Sequence, residues 1–467
     1  MELQNIVEQK CRKPIRKFIT GGKTTLPLLK VAYEKNIPFT HLGSAEYVLG
    51  WGAKSRLMLI STCDSDSAIG SKAAQNKVKT AQMLDLFGLP NPDQLVVSTK
   101  KAALTAAKRL GGKVVVKPVD RDRGEGVTIG IRNIEHLVAA FDSAKKFSKG
   151  PVIIEKEVPG VCHRLLISNG ALLYAIKRNP ISVAGNGKNT VKELINALES
   201  VERSKSPWLN PRRYPSDQYA SVIMKNNGYS LDSKPKKGEL VALRPFQSDA
   251  WGGTPEDVTS EVHVDNIAIA IKAAKVFGLN NAGIDIISSD ITQPWHSNAA
   301  IINEVNFSPN MGASEIARNA LPKFLESFIN GDGRIPVDVY VGSGSALKVA
   351  IKKHKAQLKK GIKSSLTSHK LTLHLSEEEA HLPYTSLIRR CKAMLLDREV
   401  EALVVVVETT ECLFNLMPFD AINSLTIVDS DLYSWKNKDK KALAEEVGDL
   451  HQLFKKTKQS TKNKNNV

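Results

Sequence analysis

The sequence predicts a mixed α/β (α+β) protein with more than one domain. Three observations predict it. Short β-branched runs, such as Val114-Val115-Val116 and residues 403–407, alternate with helix-period stretches such as 133–147 and 264–277. Turn punctuation separates them, at Gly111-Gly112, Asn169-Gly170 and Gly331-Asp332-Gly333. The 467 residues suffice for roughly three domains of about 150 each. The expected division is 1–75, a small α/β domain; 76–333, the main body; 334–435, a short βα segment; and 436–467, a basic disordered tail.

In order along the chain, an amphipathic stretch at 26–33 leads to Ile37-Pro38-Phe39 and a strand over 57–60. One helix is expected from about Ser71 through Lys77, with Met83, Leu84 and Leu86 near its end; Gly88-Leu89-Pro90 closes it. Strands follow at 113–118, 127–131 and 151–155, with the loop 120–126 and the helix 133–147 between them. Segments 165–168 and 172–176 flank Asn169-Gly170 as a hairpin. A loop-rich stretch over 202–237 precedes a strand at 240–243, the helix 264–277 and two acidic strands, 282–287 and 301–306. A helix near 314–329 ends this region. Beyond it, strands are expected at 337–341, 403–407 and 424–428, with a basic helix after Gly342-Ser343-Gly344-Ser345.

No run of about 18 apolar residues is present, so no membrane helix is expected. Met1-Glu2-Leu3-Gln4 opens no secretion signal, and the five scattered cysteines form no CxxC pair. These features point to a reducing, cytoplasmic setting without a disulfide framework or a zinc site. Net charge is +18. Lysines crowd the tail and the segment 352–363, where a solvated basic helix is the plain account. The polar last dozen residues are expected to be disordered. An anionic small molecule would suit a positive site as well as nucleic acid would.

The chemistry concentrates in the main body. Glu304 and Asn306, two apart on a strand, share a face, and Asp285 lies within an apolar stretch. Oxygen ligands of this kind suit Mg²⁺, although a buried ion-paired set of acids would give the same pattern. Upstream, Lys117 ends a strand beside a loop in which Gly124 and Gly126 permit close approach of backbone N–H groups to phosphate. The stretch Glu155-Lys156-Glu157-Val158 before Pro159-Gly160 reads as a hinge able to hold a flat heterocycle. His163, Arg164 and Arg178 flank the hairpin, and arginine is a natural clamp for carboxylate and phosphate.

The order Lys77, Lys117, glycine loop, hinge acid, arginines, Asp285, Glu304-Val305-Asn306 resembles the ATP-grasp pattern, and more closely the cyanophycin synthetases. Leu49-Gly50-Trp51-Gly52, Thr62-Cys63-Asp64-Ser65-Asp66-Ser67, Val116-Lys117-Pro118, Gly185-Asn186-Gly187-Lys188, Gly252-Gly253-Thr254 and Ala282-Gly283-Ile284-Asp285 carry the resemblance over about 30–330. It implies an ATP-grasp fold and an ATP-dependent carboxylate–amine ligase. Lys77, Lys117, Gly124 and Gly126 would hold ATP phosphates. Glu155, Lys156, Glu157 and Val158 would hold adenine, with His163 among the nucleotide contacts. Asp285, Glu304 and Asn306 would carry one or two Mg²⁺ ions, and Arg164, Arg178 and Arg244 would stabilise the transferred phosphoryl group or the substrate carboxylate. Amino acids or short, possibly acidic, peptides are the implied substrates, with self-association and without membrane or nucleic-acid partners. The alternative is a non-catalytic, ATP-grasp-shaped binding or scaffold protein with an anionic or nucleic-acid partner.

Two departures stand out. Cys162 replaces an acid of the family pattern, and Pro309-Asn310-Met311-Gly312 replaces its Pro-Gly. Arg334-Ile335-Pro336-Val337 is similar to the entry of a Mur-ligase-like half. There Ala346 stands where that half's phosphate-binding lysine would be, which implies a truncated remnant without catalysis.

Overall fold

The computed structural model describes residues 6–7, 9–10, 22–121, 124–131, 133–204, 214–245, 253–437 and 440–464. They form two compact units, Met1–Leu28 with Leu59–Phe324, and Leu29–Met58 with Leu325–Val467. The stretch expected as a separate domain over 1–75 is thus divided between them. The reason lies at Trp51, whose N–H donates to the Gly333 carbonyl at 2.8 Å and whose ring joins the core of the second unit. A Cβ at Gly52 would stand 2.2 Å from the Val400 carbonyl oxygen, so only glycine passes there. No helix among the described residues is long and apolar enough to cross a membrane.

In the first unit, the helix expected through Lys77 is two helices, Ala68–Ala74 and α1 (Lys77–Leu86). Asn76 separates them by accepting the Lys79 N–H at 3.0 Å, an N-cap that leaves Lys77 at the first helical position. A small antiparallel sheet follows, from β1 (Gln94–Val97), β2 (Val114–Pro118), β3 (Thr128–Ile131) and β4 (Val152–Lys156), in the order β1-β4-β2-β3. Helices α2 (Lys100–Leu110) and α3 (Ile134–Phe147) cover one face, burying Val114, Val116, Val152 and Ile154 against Ala103, Ala106, Ala140 and Phe141.

A larger antiparallel sheet contains β5 (Val161–Ser168) and β6 (Ala171–Pro180). Asn169 and Gly170 turn between them with φ of 47° and 78°, the mirror-type turn that suits a twisted hairpin. After β6 comes an insert of β7 (Ser182–Ala184), α4 (Val191–Ser204), α5 (Gln218–Asn226) and β8 (Leu240–Ala242), with its own core around Val183, Ile195, Met224 and Val241. The loop-rich stretch expected over 202–237 is therefore partly helical, because Asp217 caps α5 through the Ala220 N–H; residues 205–213 lie outside the described residues. β9 (Gly253–Asp257), α6 (Val264–Val276), β10 (Asn281–Ser288) and β11 (Ile301–Phe307) complete the sheet in the order β9-β6-β5-β10-β11. α6 packs on one face through Ile269, Ala270, Ala273 and Ala274. The helix expected near 314–329 is two short ones, Glu315–Asn319 and Leu321–Glu326; Pro322 has no N–H to continue the first.

The second unit holds a sheet of β12 (Val337–Val341), β13 (Ser364–Thr367), β14 (Thr372–His374), β15 (Ala402–Val407) and β16 (Ser424–Ile427). Its order is β14-β13-β15-β12-β16, parallel except for the β14 edge. Helix α7 (Ala346–Lys359) covers one face; α8 (Leu387–Leu396) and α9 (Ala444–Lys464) cover the other. The segment expected as a short βα remnant is thus a mainly parallel sheet with helices on both faces, and its central strands β12 and β15 are mostly apolar. The tail expected to be disordered from 436 is corrected as well. Val447, Leu450 and Phe454 of α9 are buried in the core, giving that helix an apolar stripe among its lysines; residues 465–467 lie outside the described residues.

Candidate active site

Period-two alternation decides what each sheet of the first unit presents. On the small sheet Val114, Val116, Val152 and Ile154 face the helices, so Val115, Lys117, Ile153 and Glu155 face the other way. Lys117 and Glu155 are both buried and form an ion pair. The β2–β3 connection passes through Gly124 and Gly126 with φ of 80° and 70°. A Cβ on Gly126 would lie 2.8 Å from the Pro118 ring. The Lys77 amine donates to the Arg121 carbonyl at 2.6 Å, holding the start of α1 to this loop.

On the large sheet Leu165, Ile167, Ala282, Ile284, Ile286, Ile302 and Val305 face α6. The opposite face carries Cys162, Arg164, Arg178, Asp285, Glu304 and Asn306, with Asp285 between Arg164 on β5 and Glu304 on β11. A bulge sets this arrangement. Asp285 pairs with Glu304 but Ile286 pairs with Ile302, so Asn303 is the extra residue. Without it Glu304 and Ile302 would share a face; with it one reaches the polar side and the other the core.

Electrostatics link these residues. Arg164 donates twice to Asp285, Nε to Oδ1 and Nη2 to Oδ2, both at 2.7 Å, and Arg178 Nη1 adds a third bond at 3.1 Å. Burial opposes ionisation of Asp285, but Arg164 and then Arg178 outweigh it and hold the carboxyl below its ordinary range. Glu304 moves the other way. Burial and the facing Asp285 push its carboxyl up, while the charges of Arg164, Lys77 and Lys117 pull it down. Groups from both sheets and from α1 therefore act on one carboxylate. Cys162, two residues before Arg164, belongs to the same face; burial and then Asp285 push its thiol up to about 12, so it sits there neutral. That i, i+2 relation to Arg164 was the sequence signal for it.

Some expected residues are placed elsewhere. His163 pairs with Ile286, a core-facing residue, so it points away from Asp285; burial lowers its pKa. One residue of strand phase sets it on the face opposite Asp285. Arg244 lies beyond β8 and donates to Asp217 at 2.6 Å, with its guanidinium 5.3 Å from the Tyr219 ring centroid, and both of these partners belong to the insert. In the hinge, the Lys156 and Glu157 N–H groups already bond the carbonyls of Asp93 and Lys113, and the Glu157 carboxylate accepts the Gly130 N–H at 2.6 Å. The chain then passes Gly160, where a Cβ would meet the Ser288 backbone at 2.3 Å.

Among the described residues no group of three or more His, Cys, Asp and Glu is placed to hold a metal. Asp285 and Glu304 with the amide oxygen of Asn306 form a smaller, oxygen-only set. It fits a hard cation that keeps part of its shell for water and phosphate. The raised Glu304 carboxyl reflects two acids facing each other in a buried place, and a divalent cation would relieve that repulsion. Arg164 and Arg178 already occupy both oxygens of Asp285, so Glu304 is the less committed of the two carboxylates.

No family model matches the chain. It is 30% identical over 326 residues to cyanophycin synthetase of Trichormus variabilis, covering 68% of this chain and 36% of that protein. The cyanophycin synthetase of Geminocystis herdmanii is 31% identical over 342 residues, 71% of this chain and 39% of the relative. The glutathione biosynthesis bifunctional protein GshAB of Pasteurella multocida is 29% identical over 257 residues, 53% of this chain and 33% of the relative. A solved bifunctional glutathione synthetase from Pasteurella multocida aligns with TM-score 0.49 and 23% identity, over 69% of this chain and 47% of that one. The chain is homologous to the cyanophycin synthetases and GshAB, and it spans about a third to two fifths of the length of these curated relatives.

Proposed function

We propose that this homologue of the cyanophycin synthetases is an ATP-dependent carboxylate–amine ligase with a single active site, acting on an amino acid or a short peptide. The observation that carries the reading is the convergence on Glu304. Lys77 and Lys117 act on it from the side of the small sheet, and Arg164 and Asp285 from the large one. Such a constellation holds a polyphosphate and neutralises charge as it moves, which is what phosphoryl transfer asks of a protein.

Lys77 and Lys117 bind the phosphates, and the loop at Gly124 and Gly126 brings backbone N–H groups to them. The hinge 155–158 borders the base; Val158, whose N–H has no partner among the described residues, supplies its donor. Glu304, Asp285 and Asn306 hold Mg²⁺, which when bound screens phosphate charge against the attacking oxygen. The substrate carboxylate oxygen attacks the γ-phosphorus, and the bond to the β-bridging oxygen breaks, releasing ADP. The amine then attacks the acyl carbon of the acyl phosphate. Inorganic phosphate leaves with the bonding pair, the nitrogen gives up a proton, and an amide is formed. Arg164 and Arg178 orient Asp285 and present guanidinium charge to the transferring group.

Phosphate release from Mg-ATP tests this, with pooled amino acids and short acidic peptides, wild type beside Glu304→Ala. Release that needs both an acid and an amine, and disappears in the variant, is the expected result. Release that persists in the variant would sink the assignment. ATP binding without stimulated release by any acid–amine pair would favour a binding protein.

A further inference from the structure

Outside this site, the best-defined polar cluster lies at the carboxyl edge of the parallel sheet in the second unit. β12 runs into Gly342-Ser343-Gly344-Ser345, and α7 starts at Ala346. A glycine loop between a parallel strand and a helix N-terminus turns backbone N–H groups outward and forms an anion cradle. Its position is the one where open α/β sheets bind ligands. The connection from β12 leads to β13 on one side, that from β15 to β16 on the other, and β12 and β15 are neighbours.

This cradle already has an occupant. Asp429, two residues past β16, accepts the Ser343 N–H at 3.2 Å through Oδ1 and the Ser345 N–H at 3.3 Å through Oδ2. Oδ1 also accepts the Asp431 N–H at 3.2 Å, and the Ser343 N–H is shared with the Asp431 carbonyl at 2.8 Å. Gly342 has φ of 141°, and a Cβ on it would lie 2.6 to 2.8 Å from the Asp429 carboxyl atoms. The carboxylate is thus pressed against the loop. A second acid stands at the same edge. Glu408 directly follows Val407, whose carbonyl accepts the Gly342 N–H at 3.0 Å, and its Oε2 is buried without a hydrogen-bond partner among the described residues. An incoming polyphosphate would meet two carboxylates where it needs cations.

We propose that Asp429 is a tethered anion that fills this cradle in place of phosphate, so that the protein has one nucleotide site, in its first unit. The filled cradle stands on its own geometry; the count of one rests on the ligase reading. Hydrogen exchange over 342–348 in the full chain tests the cradle, with inorganic phosphate as the probe. Asp429→Ala should exchange there about tenfold faster than wild type, and about 10 mM phosphate should restore protection in the variant alone. Phosphate protection of the wild-type loop, or an unchanged variant, would overturn the proposal. If Asp429→Ala does not fold, two wild-type measurements decide: the phosphate response, and equilibrium dialysis of Mg-ATP. One nucleotide per chain, bound about tenfold more weakly in Lys117→Met, is expected, and two would overturn the proposal. None bound would overturn the ligase reading, and the phosphate response would then decide the cradle.

Discussion

The polar face of the large antiparallel sheet and the carboxyl edge of the parallel sheet both bring acids together with groups that attract anions. They resolve the conflict differently. At the parallel edge the acid of one loop and the N–H groups of another satisfy one another. On the antiparallel face the arginines satisfy Asp285 but leave Glu304 with a carboxyl pushed up by burial and by its neighbour. A polar cluster that balances itself is structural. One that leaves a half-buried acid poised against surrounding cations is arranged for something that binds.

The largest effect that could break this comparison is expected at Asp285. Asp285→Asn takes from Arg164 the anion it binds twice, and breaking a buried pair of this kind costs about 3–5 kcal/mol. A drop of that size in urea unfolding of the first unit is expected, together with lost turnover. A stable but inactive variant would mean that the arginines hold other partners equally well. Glu304→Ala separates function from folding more cleanly. Phosphate release should fall about a hundred- to a thousandfold while the urea midpoint stays near wild type, since the residue removed is one that its surroundings disfavour. Lys117→Met comes next. It should raise the KM for ATP about tenfold with a smaller change in kcat, and it leaves Glu155 buried beside an apolar chain.

Much of this was legible in the sequence. The acidic strands, the hairpin at Asn169-Gly170 and the shared face of Glu304 and Asn306 follow from period two and turn chemistry, which are local. The bulge at Asn303 was not, because register depends on the partner strand. The placement of His163 has a related reason: adjacency to Arg164 in sequence means opposite faces in a strand. Arg244 was placed by residue type alone, and the residue that claims it, Asp217, lies 27 positions away in a segment without a strong pattern. In the second unit the apolar strands were visible. The burial of α9 was not, since lysines dominate its composition and only the spacing of Val447, Leu450 and Phe454 marks the buried stripe.

Acidity sharpens the comparison by sign. The folded Glu304 carboxyl lies above its ordinary 4.5 through burial and the facing Asp285, so it binds a proton more tightly folded than unfolded. Its contribution to metal-free stability is full below 4.5 and is lost as pH rises through the raised value. Asp285 behaves oppositely. Against the opposing effect of burial, Arg164 and Arg178 hold it below 3.8, so its contribution is present above 3.8 and is lost as pH falls through the lowered value. Metal-free urea titrations should show a decline on the alkaline side that Glu304→Gln removes and an acid limb that it leaves in place. An unchanged alkaline side in the variant would place the repulsion on another group.

The smallest effect belongs to the second unit, at a histidine whose two ring nitrogens are both matched internally. His354 is fully buried, with Nδ1 against the Ser364 hydroxyl at 2.9 Å and Nε2 against the Ser376 carbonyl at 2.8 Å. Burial lowers its pKa below 6.5. The unfolded chain therefore takes up a proton that the folded one refuses, and stability is lost as pH falls below 6.5, by at most about 1.4 kcal/mol per pH unit. Glu304 and Asp285 have no part in this slope. It should survive Glu304→Gln and flatten in His354→Gln, read by urea unfolding between pH 5 and pH 6.5 with α9 followed by hydrogen exchange. A slope unchanged by the His354 substitution would show that another group of the second unit titrates on unfolding, and that its polar network is less self-contained than its hydrogen bonds make it.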